Sequence, residues 1–219
     1  MKKVTKMTFK YNFFQYVWIF IAGCYIGYGI ETLWCLIKNG YIESRKALVL
    51  GHLSVAYGMG AVLLTIILVN FEHSQLWKVF LIAFLSGTVV EYICSWGQET
   101  FFHTVAWDYS HLPLNINGRV CLLYSLFWGA LGVAWVKMII PLFTYTFDKV
   151  NIPFEHLIIY GFVAFFIFDA ALSASAGIRM NQRKEGIEPR NRYEQFLDTH
   201  YDDETMHKIY ANSVSADND

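Results

Sequence analysis

Long apolar segments alternate with short polar connections along most of the chain. The apolar residues run from about Phe13 to Ile37, Leu53 to Asn70, Leu76 to Trp96, Val120 to Phe143 and Phe154 to Ala176. Each segment is near the length of about 20 residues that a helix needs to cross the hydrocarbon core of a bilayer. The pattern predicts an all-α fold, a polytopic integral membrane helix bundle of about five transmembrane helices. With five spans, the two termini lie on opposite sides of the membrane.

The same pattern divides the chain into two parts. Residues 1–176 are expected to form the transmembrane bundle, and residues 177–219 a polar C-terminal tail. The tail contains a predicted short amphipathic helix with Tyr193, Phe196, Leu197 and Tyr201 on it. Basic residues lie near both ends of the bundle, so those residues do not decide the orientation by the positive-inside rule. Arg45 and Lys46, on the same side as the tail, favour a cytoplasmic tail.

Composition supports a membrane protein and excludes several functions. Hydrophobic residues make up 55% of the chain and charged residues only 16%. A formal net charge of -1 argues against nucleic acid as the main partner, because phosphate binding needs a concentrated basic surface. The four cysteines show no zinc or redox spacing, so we predict neither a metal site nor a cofactor. The sequence contains no Walker A motif and no nucleophile elbow, so no ATPase or hydrolase activity is predicted.

A short similarity between the two halves of the bundle suggests an internal repeat. Gly27 precedes Glu31 by four residues in the first span, and Gly87 precedes Glu91 by four in the third. The spans that follow also start alike, with Tyr57 in one and Tyr124 in the other. The spacing predicts a parallel two-helix repeat, an arrangement that membrane transporters use.

Ionisable residues inside the spans are the candidate functional residues. Glu31, Glu91 and Asp169 each lie in an odd-numbered span, before its C-terminal end, so we expect them at a similar depth. Arg119 begins the fourth span on the same side and has enough donors to bridge two carboxylates. Two interpretations remain open: a substrate, ion or proton site, and a buried ion-pair network that fixes helix packing.

Several of these residues lie in motifs that resemble a known family. GYGIETLW (27–34), WDYS (107–110), NINGR (115–119) and Asp169 resemble the CmpB family, which is described as ABC-transporter type IV permeases and includes vertebrate orphan transmembrane proteins. The resemblance covers roughly residues 14–176. One segment departs from it: residues 51–58 read GHLSVAYG where family members carry a stretch with proline and cysteine, so no proline-bent start of the second span is expected here.

The resemblance implies a set of motif residues that extends the polar cluster. The motif positions in this chain also include Gly58, Trp107, Ser110 and Gly118. We take as candidate substrate-binding residues Glu31, Tyr57, Glu91, Glu99, Asp108, Tyr109, Asn115, Arg119 and Asp169.

These observations favour one function over two others. The leading hypothesis is a permease-like membrane subunit, of an ABC-type transporter, which moves a small solute across the cell (plasma) membrane. It implies a separate ATPase subunit and either a homo-oligomer or a second membrane subunit. The alternatives are an accessory or structural membrane protein without transport activity and, third, a membrane-embedded enzyme that uses Glu31 and Glu91 as acid and base.

Overall fold

The computed structural model describes residues 10–102, 104–105, 107–211 and 214–215. Its helices are α1 (Phe13–Asn39), α2 (Val55–Leu68), α3 (Leu76–Phe102), α4 (Leu122–Ala134), α5 (Ile140–Lys149), α6 (Glu155–Lys184), α7 (Arg192–His200) and α8 (Asp203–Ile209). Short strands β1 (Thr104–Val105) and β4 (Val214–Ser215) pair antiparallel, as do β2 (Asn115–Ile116) and β3 (Val120–Cys121). The predicted all-α membrane bundle is confirmed.

Local sequence signals define where the first helix begins and ends. The Asn12 side chain accepts a hydrogen bond from the Gln15 amide at 3.0 Å, and the Gln15 side chain accepts one from the Asn12 amide at 2.9 Å. This reciprocal capping box satisfies amides that the first turn leaves unpaired. At the other end, Gly40 has a φ of 78°, a left-handed conformation that glycine adopts at little cost.

Four helical segments are long and apolar enough to cross a membrane. They are Phe13–Asn39, Leu76–Thr100, Leu122–Lys149 and Glu155–Lys184. The predicted second span differs, because α2 has 14 residues and only a three-residue 3-10 turn extends it to Phe71. The resulting apolar segment, Val55–Phe71, is shorter than the four candidate spans and lies at the lower limit of about 17 residues for a spanning helix.

The fourth pass is longer than the sequence pattern predicts, since it continues past Pro141 to Lys149. A π-helical segment from Trp135 to Ile139 joins α4 to α5 immediately before this proline. Proline has no amide hydrogen to donate, so an interruption of regular α-helical bonding at this point is the expected response.

Contacts between distant residues define two ends of the bundle. At one end Lys10 pairs with Glu72 at 2.8 Å and Trp18 donates to Glu155 at 2.9 Å. The other end, which we call the loop face, carries residues 40–54, 104–105 and 107–121 and α7 and α8. Because α1 begins at the first end and α6 finishes at the loop face, these two helices start and finish at opposite ends of the bundle.

Small residues bring the helices together in the same way in two helical hairpins, α1–α2 and α3–α4. A Cβ atom added to Gly23 would lie 2.7 Å from the Cβ of Ala61, and one added to Gly132 would lie 2.0 Å from the Cβ of Ala83. Each contact joins a glycine to an alanine, with the two residue types exchanged between the hairpins. Small residues permit close helix approach where there is no hydrophobic driving force between helices.

The polar tail folds back onto the loop face. The buried cluster there joins Val49 of the first loop and Leu172 and Ala176 of α6 to Leu197 and Met206 of the tail. The boundary predicted at residue 176 is not a break in the backbone, because α6 continues to Lys184. The predicted amphipathic helix corresponds to α7, which Tyr201 follows directly.

Candidate functional site

Glu31 lies beside an aromatic residue that a glycine admits. A Cβ added to Gly27 would lie 2.2 Å from Cγ of Tyr57, so the tyrosine ring of α2 packs directly on the backbone of α1. From this position the Tyr57 hydroxyl donates to Oε1 of Glu31 at 2.6 Å. Gly27 and Glu31 share a helix face because they are four residues apart. The missing side chain of Gly27 therefore lets Tyr57 come close enough to α1 to bond to Glu31.

Glu91 occupies the matching place in the second hairpin. A Cβ added to Gly87 would lie 2.4 Å from Cγ of Trp128, and the indole Nε1 donates to Oε2 of Glu91 at 2.9 Å. The carboxylate also accepts from the Tyr109 hydroxyl at 3.1 Å. Here the loop contributes a second donor, so Glu91 has one neutral partner on each oxygen.

The repeat is present, but one predicted equivalence is wrong. The start of the second and fourth spans suggested that Tyr57 matches Tyr124, whereas the packing on Gly27 and Gly87 matches Tyr57 to Trp128. Trp128 is therefore a site residue that the sequence pattern did not predict. A signal was available, because Tyr57 and Trp128 each precede a glycine that faces the neighbouring helix.

Aromatic residues lie beside both carboxylates. The Tyr57 hydroxyl, which donates to Glu31, is also close enough to Glu91 and Tyr124 to interact with them electrostatically. Tyr124 stacks on Tyr109 with ring centroids 4.5 Å apart and an interplanar angle of 18°. Tyr57 of the first hairpin therefore lies near the carboxylate of the second.

Burial and the charge of Glu91 raise the pKa of Tyr109 above its usual value. The phenol therefore stays protonated and remains a donor to Glu91 at any physiological pH. A loop tyrosine held in this way fixes the loop against the bundle.

Neither carboxylate has a basic partner within the described residues. The ion pairs there involve other acids, among them Glu72, Glu99 and Asp198. Among the described residues, the side-chain donors to Glu31 and Glu91 are neutral phenol and indole groups.

Arg119 pairs with Glu99 and does not bridge two of the membrane carboxylates, contrary to the expectation from topology. Its guanidinium also lies over the Tyr92 ring, 5.5 Å from the centroid. The Trp107 indole donates to the Arg119 carbonyl at 3.0 Å, which ties the loop to the start of α4. This arginine holds the second loop in place because its partners all come from the loop or the helix below it.

Asp169 lies in a separate hydrogen-bond network. Its side chain is fully buried and accepts from the backbone amides of Leu50 at 3.1 Å and Gly51 at 2.7 Å. Ser173, one turn later, donates to the same carboxylate at 3.3 Å and accepts from the Val49 amide at 2.9 Å. Asp169 thus attaches the first loop to α6, and its bonds do not reach Glu31, Glu91 or Arg119.

The remaining predicted residues shape the second loop. Asp108 accepts from the amide and hydroxyl of Ser110, and these bonds hold the pKa of its carboxyl below the usual range. The Asn115 amide group donates to the Leu112 carbonyl at 2.8 Å and its oxygen accepts from Gly118 at 3.1 Å. Positive φ values at Asn117 and Gly118 close the turn between β2 and β3.

The comparison with known proteins agrees with these motifs. The family whose model matches is described as "Putative ABC-transporter type IV" (ABC_trans_CmpB), and the match covers residues 18–174. The chain belongs to this family. The matched residues include most of α1, all of α2 to α5 with the two loops, and α6 up to residue 174, and they exclude α7 and α8. No curated protein and no solved structure matches the chain.

Proposed function

We propose that this CmpB-family protein is a permease-like membrane subunit that binds a small cationic solute between its two helical hairpins. The observation that carries the proposal is the pair of matching carboxylates, Glu31 and Glu91, which lack basic partners within the described residues. Ionisable groups within membrane spans are costly, and they are therefore usually retained for function.

The aromatic residues beside the carboxylates add to the preference for a cation. The Tyr57 hydroxyl donates to Glu31 and the Tyr109 hydroxyl to Glu91, Tyr124 stacks on Tyr109, and Tyr57 is 39% exposed. Carboxylates attract an ammonium or guanidinium group through charge-assisted hydrogen bonds, and ring faces attract it through their quadrupole. A solute that combines a positive charge with a small apolar surface fits both features.

The other predicted site residues contribute in this proposal by positioning. Glu99 and Arg119 fix the start of α4, Asp108 and Asn115 form the loop that delivers Tyr109, and Asp169 holds the first loop. The loops that they support lie at the loop face, through which a solute would reach the carboxylates.

Transport requires energy that the described fold does not itself supply. In the ABC-type arrangement that the family name suggests, a separate ATPase subunit provides it, and a second copy or a second membrane subunit completes the path. Affinity purification in mild detergent tests this part: a co-purifying ATPase supports it, and a lone, stable monomer contradicts it.

Cation binding can be tested without knowing the partner. The purified chain in nanodiscs is heated with and without millimolar guanidinium or tetramethylammonium, at constant ionic strength set with sodium chloride. A bound probe raises the unfolding temperature by linkage. The rise should disappear in Glu31→Gln and in Glu91→Gln and persist in Glu155→Gln, whose carboxylate also accepts from an indole, that of Trp18. Absence of any probe effect in the wild type would contradict the proposal.

An accessory or structural role is the second candidate, and the two neutral donors on Glu91 favour it. In that case the carboxylates serve only as acceptors that join helices and loop. The same variants separate the two functions. If Glu31→Gln and Glu91→Gln lose folded protein without any change in a probe effect, the structural role is supported.

A further inference from the structure

An apolar groove lies between α6 and α7, away from the carboxylates. Its volume is about 410 Å³, and its lining consists of Leu50, Phe168, Ala171, Leu172, Tyr193, Phe196 and Tyr201. The helix α7 contributes Tyr193 and Phe196, which are three residues apart and so share one helical face. The two aromatic side chains remain 50% and 43% exposed beside a transmembrane helix.

The groove is continuous with the surface that α6 presents to lipid. Phe168 lines the groove and is 59% exposed, within the apolar segment of α6 that crosses the membrane. Neighbouring apolar side chains on α6, including Phe165 and Ile167, are also exposed. An acyl chain can therefore enter the groove from the hydrocarbon region without leaving an apolar environment.

The tail that forms the groove is firmly held. Arg179 is buried and pairs with Asp198 through two bonds of 2.8 Å, and Arg183 bonds to Asp198 at 2.7 Å. Leu197 packs on the opposite side of α7 from solvent, in the cluster with Val49 and Ala176. The aromatic face of α7 is thus fixed beside Phe168 by contacts that do not involve the groove.

Charges near the start of α7 do not favour a charged headgroup. Between residues 184 and 194, three basic side chains, Lys184, Arg190 and Arg192, are balanced by three acidic ones, Glu185, Glu188 and Glu194. A strongly anionic lipid would be favoured by an excess of basic residues at the interface, which this segment does not have.

We propose that the groove between α6 and α7 binds one acyl chain of a membrane phospholipid, without selecting its headgroup charge. The aromatic residues of α7 would cover the chain, and the lipid would pack α7 against the membrane-facing side of α6. The groove shares no lining residue with the carboxylate site, and its lining is apolar and aromatic. Its α7 residues also lie outside the segment that matches the family.

Photolabelling in nanodiscs tests the proposal on the full chain. Phosphatidylcholine with a diazirine near the end of one acyl chain is activated, and labelled peptides are identified by mass spectrometry. Labelling should concentrate on groove residues of both α6 and α7. An otherwise identical phosphatidylglycerol probe should label them within about twofold, because the local charges balance. A preference for either headgroup well beyond that would overturn the stated lack of selection.

Two variants of equal exposure provide the control. Phe196 and Phe165 are both 43% exposed, but only Phe196 lines the groove. Phe196→Ser should lower labelling of α7 by about fivefold or more, the order expected when a large apolar contact is lost, and Phe165→Ser should not. Tyr193→Ser gives a second test if Phe196→Ser does not fold. Uniform labelling of α6 without enrichment on α7, or equal effects of both phenylalanine variants, would overturn the site.

Discussion

The two helical hairpins have the same packing but enclose their glutamates differently. In α1–α2, Glu31 accepts from one side chain of the described residues, that of Tyr57, and this tyrosine is partly exposed. In α3–α4, Glu91 accepts from Trp128 and also from Tyr109 of the loop. The carboxylate therefore has the same position in both hairpins, whereas the second loop adds a donor to Glu91 that Glu31 does not receive from the described part of the first loop.

The loops themselves are held by different means. The first loop depends on a distant helix, because Asp169 and Ser173 of α6 bond to the backbone of residues 49–51. The second loop is held by itself and by α3 and α4, through the β2–β3 pair and the contacts of Arg119. The position of the loop between α1 and α2 therefore depends on α6 and the tail, which is not so for the contacts given for the second loop.

The largest expected effect tests whether the two hairpins are equivalent in packing. Gly27→Ala and Gly87→Ala should each destabilise the protein by about 3 kcal/mol, at the upper end for overpacking, because the new Cβ meets the base of an aromatic side chain. Thermal unfolding in detergent measures the loss. Gly97→Ala is the control, since a Cβ there meets nothing within 4 Å. A strong effect in one hairpin only would break the equivalence.

Asp169→Asn should act on the first loop alone. An amide can accept at one position only, so a buried backbone amide loses its partner, at a cost of about 2 kcal/mol. Hydrogen exchange should increase at residues 49–51 and stay unchanged at residues 115–121. Equal increases in both loops would contradict the separate attachment that the structure indicates.

Acid should loosen the attachment of the tail to the first loop. Arg179, together with Arg183, holds the pKa of Asp198 below its usual value of about 3.9. Because the native pKa is the lower one, this stabilisation is complete above about pH 4 and is lost as the pH falls through the native pKa. Hydrogen exchange of residues 43–50, corrected for intrinsic rates, should rise below pH 4 in the wild type. In Asp198→Asn the same exchange should be raised already at neutral pH.

The smallest effect is expected when the aromatic donor to either glutamate is replaced. Tyr57→Phe and Trp128→Phe each remove one neutral hydrogen bond to a carboxylate, worth about 1 kcal/mol. Glu91 keeps Tyr109 as a donor when Trp128 is replaced. Tyr57→Phe should therefore perturb Glu31 more than Trp128→Phe perturbs Glu91. Infrared carboxylate bands, assigned with the Glu→Gln variants, report this difference. A larger shift for Glu91 than for Glu31 would contradict the comparison.

Much of the fold follows from the sequence because apolar length and small-residue spacing determine it locally. The spans and the stripe from Gly87 to Glu91 are of this kind. The partners of Arg119 and Asp169 cannot be predicted in this way, because they depend on the paths of the loops. Arg119 pairs with Glu99, which lies where α3 continues beyond its apolar segment, and Asp169 bonds to residues of the first loop, which turns toward α6. Shared depth in the membrane therefore did not mean shared contacts. The role of Trp128 required the helix register, which the ends of the spans do not reveal.

The binding stoichiometry is the most direct test of whether the two hairpins supply one cation site. Equilibrium dialysis of the nanodisc-embedded chain against radiolabelled guanidinium counts the bound probe per chain in the wild type, Glu31→Gln and Glu91→Gln. We expect one bound guanidinium in the wild type and loss of binding in either variant, because Tyr57, the donor to Glu31, also lies near Glu91. Two bound guanidinium ions, with each variant losing one, would show two independent sites, and unchanged binding in both variants would contradict the role of the carboxylates.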